Sequence, residues 1–283
     1  MPMKIWERIW FSKIDPEGLK YFRWAIGGLF FFIFLGLAPN WIDFYGSNGI
    51  QSFNGEGRFA DQDPIGLFYV FDHPFFLWGF WAAGLAASVL LLWGRYTRAA
   101  ILALFLLEVS MIHRNRFVCN GEDLVLRMLL FYALFLPLEF KKGVLKKDWP
   151  DVWPLRLMQI NVAAIYVFSL PAKFAQDPTW LTGDLMYYAL NNSMWSRWPW
   201  PSMTYNGILS KLMTYTALVA EISFPILVWF KKTRLSMVFL MMAFHFSIGI
   251  ILDNLTFFSL SMLVAFTVYL PIERSNLVSA RIS

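Results

Sequence analysis

Residues 74–98 read PFFLWGFWAAGLAASVLLLWGRYTR. Pro74–Trp93 holds no charged side chain, and Arg95 and Arg98 follow it at once. A helix rises 1.5 Å per residue, so about 20 apolar residues cross the hydrocarbon core of a bilayer. The pattern of apolar run followed by polar connection recurs along the whole chain. Further runs fall at about Leu19–Leu37, Ala99–Ile112, Leu124–Phe140, Trp153–Phe174, Lys211–Phe230, Leu235–Leu252 and Leu255–Pro271. With Pro74–Trp93 they make eight predicted spans. Several are shorter than a full crossing, Ala99–Ile112 most of all, so their ends are expected to extend into the polar flanks.

The connections give the orientation. Lys4, Arg8, Lys13, Lys20 and Arg23 precede or open the first span. Arg95 and Arg98 fill the second connection, Lys141, Lys142, Lys146 and Lys147 the fourth, and Lys231, Lys232 and Arg234 the sixth; Arg274 and Arg281 follow the last span. The first and third connections hold acids instead: Asp43, Glu56, Asp61, Asp63 and Asp72, then Glu122 and Asp123. Basic residues next to spans stay on the cytoplasmic side. The chain therefore reads as an all-α polytopic membrane protein of eight helices, both termini cytoplasmic, with two long outer loops. One outer loop follows Leu37 for about 35 residues, too long for a simple connector. The other, Ala175–Ser210, holds Trp180, Trp195, Trp198 and Trp200 and a predicted helix near Gly183–Asn191. Residues 1–14 place Ile5, Trp6, Ile9 and Trp10 at helical spacing, as a helix lying on the membrane surface would; a frayed tail is the alternative. Residues 15–272 form the membrane domain and 273–283 a cytoplasmic tail.

Composition agrees. Hydrophobic residues make up 58% of the chain and charged residues 15%, with a mean hydropathy of +0.51. The net charge of +5 lies beside the spans, where positive-inside bias explains it, so it points to lipid and not to nucleic acid. A lone cysteine, Cys119, excludes an intrachain disulfide and a cysteine-based metal cluster. No nucleotide-binding loop, zinc motif or Gly-x-Ser-x-Gly elbow is present, and no metal site is expected.

Ionisable residues inside a span cost about 2.5–3.5 kcal/mol each at the helix centre, so each calls for a partner or a function. Projected on the predicted topology, His113, Arg114, Arg116, Glu122, Asp123, Arg127, Lys173, Glu221 and His245 all fall in the outer half. An acid, a histidine and a lysine are the parts needed for proton abstraction, and a lysine desolvated in a cavity can serve as a neutral amine base. One outward-opening polar cavity holding Lys173, Glu122, Asp123, Glu221 and His245 is the functional expectation. Structural pairs, Asp123 with Arg127 and Glu221 with His245, are the other reading. For Lys173 itself the alternatives are a base turned inward by a kink at Pro171 and an anchor that snorkels to the headgroups.

The order of motifs resembles a known family. Asp15-Pro16-Glu17-Gly18-Leu19-Lys20-Tyr21-Phe22-Arg23 opens the first span, and Gly94-Arg95-Tyr96-Thr97-Arg98 joins the second and third. Arg114-Asn115-Arg116, then Asn120-Gly121-Glu122-Asp123 and Arg127, lead into the fourth. Lys173 precedes Trp180-Leu181-Thr182-Gly183 and Tyr187-Tyr188-Ala189-Leu190; Glu221 precedes Phe224-Pro225, and Phe244-His245 lies in the seventh span. Over Asp15–Pro271 this resembles the horizontally transferred transmembrane domain family, which includes the membrane part of vitamin K-dependent gamma-carboxylase. The resemblance implies a membrane-embedded enzyme of carboxylase/epoxidase type, a lyase or oxidoreductase, acting with a reduced, vitamin K-like quinone. It implies Lys173 as the base. Where the family has a histidine after paired asparagines this chain has Asn120-Gly121-Glu122, which leaves that part to Glu122 or His113. Asp123 and His245 complete the implied catalytic set, with Arg127, Trp180, Tyr187 and Glu221 as binding residues. The long extramembrane region of the carboxylase has no counterpart here. The same domain occurs in short bacterial proteins, one a factor that helps mature a sporulation-delaying peptide toxin. A secreted peptide or an accessory soluble protein is thus an alternative partner beside the lipid bilayer. The bacterial cytoplasmic membrane is the expected location, and a non-catalytic maturation factor or interaction protein the alternative function.

Overall fold

The computed structural model describes residues 6–7, 9–50, 66–116, 118–139, 151–198 and 207–270. Lys4, Arg8, Glu56, Asp61, Asp63, Lys141, Lys142, Lys146, Lys147, Trp200, Arg274 and Arg281 lie outside them. So do the middle of the first outer loop, the fourth connection and the tail 273–283.

Among the described residues the regular structure is helical, apart from two isolated bridges, Lys13 with Asp151 and Ser196 with Leu252. The helices are α1 (Lys20–Leu37), α2 (Trp41–Tyr45), α3 (Leu67–Val70), α4 (Pro74–Trp93), α5 (Thr97–Arg114) and α6 (Gly121–Ala133). Then come α7 (Trp153–Gln176), α8 (Thr179–Thr182), α9 (Leu185–Asn191), α10 (Gly207–Leu227), α11 (Arg234–Ile251) and α12 (Thr256–Phe266). Each apolar run of the sequence is occupied by one helix. Among the described residues four helical stretches are long and apolar enough to cross a membrane: Glu17–Tyr45, Pro74–Trp93, Trp153–Gln176 and Arg234–Ile251. No more than 33% of the apolar window of any of them is buried inside the protein. Phe32, Phe75, Trp93 and Phe168 are each more than two-thirds exposed. Helices apolar on all sides with large rings outward are compatible with an integral membrane protein, whose outer surface meets acyl chains instead of water.

Two ends differ from the sequence reading. The fourth run was expected to continue to Phe140, yet α6 stops at Ala133 and a turn follows. Pro137 accounts for this, since proline disfavours helical backbone at the residue before it and cannot supply a helical N–H. The last run was expected to reach Pro271, yet α12 ends at Phe266 and tightens into a 3-10 turn over Thr267–Tyr269. Pro171, by contrast, does not break α7, which stays helical to Gln176.

The chain forms two compact units, Met1–Pro154 with Ile272–Ser283, and Leu155–Pro271. In the first, helix ends gather at two poles. At one, the Arg23 guanidinium donates to the Leu138 carbonyl (3.1 Å) and fills the space left by Gly94. Gly94 ends α4 at φ 75°, a left-handed conformation that favours glycine. At the other pole, Arg114 Nε donates to Tyr45 O (3.0 Å) and its guanidinium also to Gly46 O. Asn115 Nδ2 donates to Phe44 O (2.9 Å) and Tyr69 OH to His113 O (3.1 Å). Starts and ends of successive helices thus alternate between the poles, as an up-and-down bundle requires. α1 and α4 pack closely because Gly84 has no Cβ; one placed there would lie 2.2 Å from the buried Phe34 ring. Trp41 anchors the turn after α1: its Nε1 donates to Leu77 O (2.8 Å), and its ring meets Phe34, Tyr45 and Phe68. Asp151 pairs with Lys13 at 2.9 Å, and Val152 N donates to Ser12 O at 2.8 Å, tying the N-terminal segment to the start of α7.

In the second unit α11 and α12 form a hairpin against α7 and α10. Gln159 Nε2 donates to Val268 O (2.8 Å), and Tyr269 OH donates to Gln159 O, closing one end. At the other end Asp253 N donates to Trp195 O (2.8 Å), and Arg197 pairs with Asp253 (2.9 Å).

Candidate functional site

The second unit contains a cavity of about 740 Å³ with mostly aliphatic and aromatic walls. α7 lines it through Ile165, Tyr166, Ser169 and Lys173. Tyr166, Ser169 and Lys173 stand at i, i+3 and i+7, so they share one helix face. α10 supplies Glu221, α11 supplies Phe244 and His245, and the segment after α7 supplies Trp180.

Two polar groups interrupt these walls. In the first, Lys173 Nζ donates to Glu221 Oε2 in an ion pair, with side chains 23% and 8% exposed. Nζ also lies 4.4 Å from the centre of the Trp180 ring, a cation–π contact. Trp180 is brought there by a short turn: Asp177 accepts from Thr179 N (2.9 Å) and Thr179 Oγ1 (2.6 Å), starting α8, and Gly183 at φ 82° ends it. The second group is Tyr166 with His245, whose OH and Nε2 are 2.7 Å apart. Both residues are 3% exposed. Phe224, Phe258 and Phe266 surround them with ring contacts of 5.2–6.3 Å. His245 Nδ1 is buried and has no hydrogen-bond partner among the described residues. Along α7 the two groups are seven residues apart, about 10 Å at 1.5 Å per residue.

Lys173, Glu221, His245 and Trp180 of the sequence expectation therefore line one cavity. The ion pair joins Glu221 to Lys173; His245 is bonded to Tyr166 and not to Glu221. Tyr187 is not among the lining residues; its ring meets the edge of Tyr188, and Tyr188 lines the cavity. The other expected site residues belong to the first unit. Asp123 accepts from Asn120 N (2.7 Å) in the first turn of α6, where an acid also favours the helix dipole. Glu122 Oε1 lies 3.4 Å from Asn120 Nδ2, and Arg127 follows Asp123 by one helical turn. Burial, reinforced by the Asp123 charge, pushes the Cys119 thiol beside them up to about 11. His113, at the end of α5, has a buried Nδ1 without a partner. Among the described residues no three His, Cys, Asp or Glu side chains converge as a metal site would need.

The sequence reading missed two residues. Tyr166 carries no motif of its own in the sequence, and only its pairing with His245 distinguishes it. Glu108 is 2% exposed in α5 with Oε1 unpartnered; an acid inside an apolar run was legible in sequence and was passed over.

No protein-family model, no curated protein and no solved structure matches this chain.

Proposed function

We propose that this protein is an eight-span integral membrane protein of the bacterial cytoplasmic membrane, with both termini inside, and that the cavity of its second unit is an enzyme site for a lipophilic cofactor. The single observation behind this reading is the Lys173–Glu221 ion pair set into an otherwise apolar cavity beside Trp180. Burying such a pair is costly unless geometry and further contacts offset the desolvation, so an isolated pair at a cavity wall points to use of its proton. The alternation of basic connections and the pairing of Lys13 with Asp151 support the orientation. The order of motifs supports a place in the horizontally transferred transmembrane domain family.

A reduced quinone fits the residues present. The cavity is large enough for a substituted aromatic ring, its walls are aromatic, and one buried polar atom, His245 Nδ1, is unpartnered. Such a group supplies two reducing electrons and acidic hydroxyl protons. The chain's own part is proton handling. A proton moves from Lys173 Nζ to Glu221 Oε2 within their hydrogen bond, which leaves a lone pair on Nζ. With such a group bound, that lone pair would accept a proton from its hydroxyl, and Trp180 would stabilise the ammonium that re-forms. The phenylalanines around Tyr166 keep water from the cavity floor. Substitution Lys173→Arg is the decisive test. Arginine keeps the ion pair and the cation–π contact but stays protonated at any working pH. Quinol oxidation by the purified protein, with dioxygen supplied as the two-electron oxidant, is expected to fall about a hundredfold or more, in line with loss of a general base. Full turnover in that variant would reject the base and favour a non-catalytic part in maturing a secreted peptide.

A further inference from the structure

The buried His245–Tyr166 pair constrains the chemistry of whatever fills the cavity. A neutral imidazole has one donor nitrogen and one acceptor nitrogen. Tyr166 OH is buried, and its hydrogen bond within the described residues is the one with His245 Nε2. Were Nε2 the donor, the phenol hydrogen would point at aromatic walls with no acceptor among the described residues, which is costly for a buried polar group. The arrangement that satisfies both residues has Tyr166 O–H donating to Nε2. The ring hydrogen then sits on Nδ1. That N–H is buried, unpartnered, and belongs to a residue that lines the cavity. Buried donors without partners are rare in folded proteins, and each calls for an explanation.

We infer that His245 Nδ1–H donates a hydrogen bond to an acceptor oxygen, a carbonyl, on a lipophilic ligand held in this cavity, and that Tyr166 positions it by fixing the histidine tautomer. This rests on the reading of the cavity as a ligand site. It adds that the ligand carries an oxygen able to accept, about two helical turns along α7 from the Lys173–Glu221 pair. Phe258 and Phe266 meet the imidazole and Tyr166 OH bonds its Nε2, so the donor direction is fixed before the ligand arrives. Fixing it in advance also lowers the entropy lost on binding. A ligand without an acceptor at this end would leave Nδ1–H unsatisfied and bind more weakly for that reason alone.

The test uses a matched pair of probes, benzophenone and diphenylmethane, which differ by the carbonyl oxygen. Binding of each radiolabelled probe is measured on the full chain in lipid nanodiscs, with partition into empty nanodiscs subtracted. The wild-type protein is expected to bind benzophenone about three- to tenfold more tightly than diphenylmethane, the range of one net hydrogen bond. In His245→Phe that preference is expected to vanish while diphenylmethane binding persists, which also shows that the cavity is still formed. His245→Asn places an amide N–H near the Nδ1 position and is expected to restore most of the preference; His245→Gln, whose amide reaches the Nε2 position, is not. Nitrogen-15 histidine spectra give a readout independent of binding. With three histidines in the chain, His245 is assigned by its loss in His245→Asn, and it is expected as the Nδ1–H tautomer. In Tyr166→Phe the spectrum is expected to shift toward a mixture of tautomers. An undiminished carbonyl preference in His245→Phe, or an Nε2–H tautomer in the wild type, overturns the inference and leaves the cavity as a ligand site. If neither probe binds the wild type, the ligand site itself falls, and this inference with it.

Discussion

Removing Lys173 without removing Glu221 tests how the cavity pair is held. In Lys173→Met the stem of the side chain is kept and the charge is lost, so the Glu221 carboxylate, 8% exposed, is stranded among Phe224 and its neighbours. Breaking a buried pair from one side costs about 3–5 kcal/mol, mostly from the charge left behind. Glu221 is nearly buried, and among the described residues its ion-pair partner is Lys173. The loss is therefore set at about 4 kcal/mol. Glu221→Leu strands the other partner, but Lys173 keeps 23% exposure and the Trp180 face, so its loss sits at the low edge, about 3 kcal/mol. The double variant Lys173→Met, Glu221→Leu leaves no buried charge and is expected within about 1 kcal/mol of the wild type. In a protein of this size 1 kcal/mol moves a melting midpoint by about 2–4 °C, so Lys173→Met should melt about 8–16 °C lower. Thermal unfolding in one detergent, followed by tryptophan fluorescence, measures all four proteins. Two single variants melting within 2 °C of the wild type would refute the idea of a buried, mutually dependent pair. Equal losses in the single and double variants would refute the coupling, because neighbours that share one interaction do not add.

Two further outcomes follow from the connections. Because the Cys119 thiol is pushed up from 9.0 to about 11, its alkylation by iodoacetamide at pH 8 is expected to be roughly a hundredfold slower than that of an unperturbed thiol; the rate should climb with pH until about 11, and Asp123→Asn should speed it, whereas a plateau by pH 9 would contradict the shift. In a Cys119→Ser background, Leu145→Cys is expected to react with an impermeant maleimide only after the inner face is opened, since position 145 sits among four lysines of the fourth connection; labelling in intact cells would reverse the topology.

How much of this was legible beforehand depends on the range of the cause. Apolar runs announce helices because period and hydropathy are local, and Pro74–Trp93 appears in the structure with the same ends. The helix end expected at Phe140 was misjudged because apolarity continued past Pro137, and the one expected at Pro271 because the last turns tighten to 3-10 geometry after Phe266 with no change in apolarity. The cost of charge in an apolar span marked Lys173, Glu221 and His245 individually. That same rule expected Glu122 and Asp123 at the same depth; they belong to the first unit, and depth along a span carries no information on which neighbour a side chain faces.

Sequence alone therefore determined which segments are helices, which connections carry the basic residues, and which ionisable residues lie inside apolar runs. These follow from composition within a window of about 20 residues and from the bilayer as solvent. Only the tertiary structure decided the pairings. It joined Lys173 to Glu221 across 48 positions and Tyr166 to His245 across 79, and it left His245 Nδ1 without a partner. Such choices depend on helix rotation and packing, where a turn of 100° moves a side chain from lipid to cavity without changing its place in the sequence.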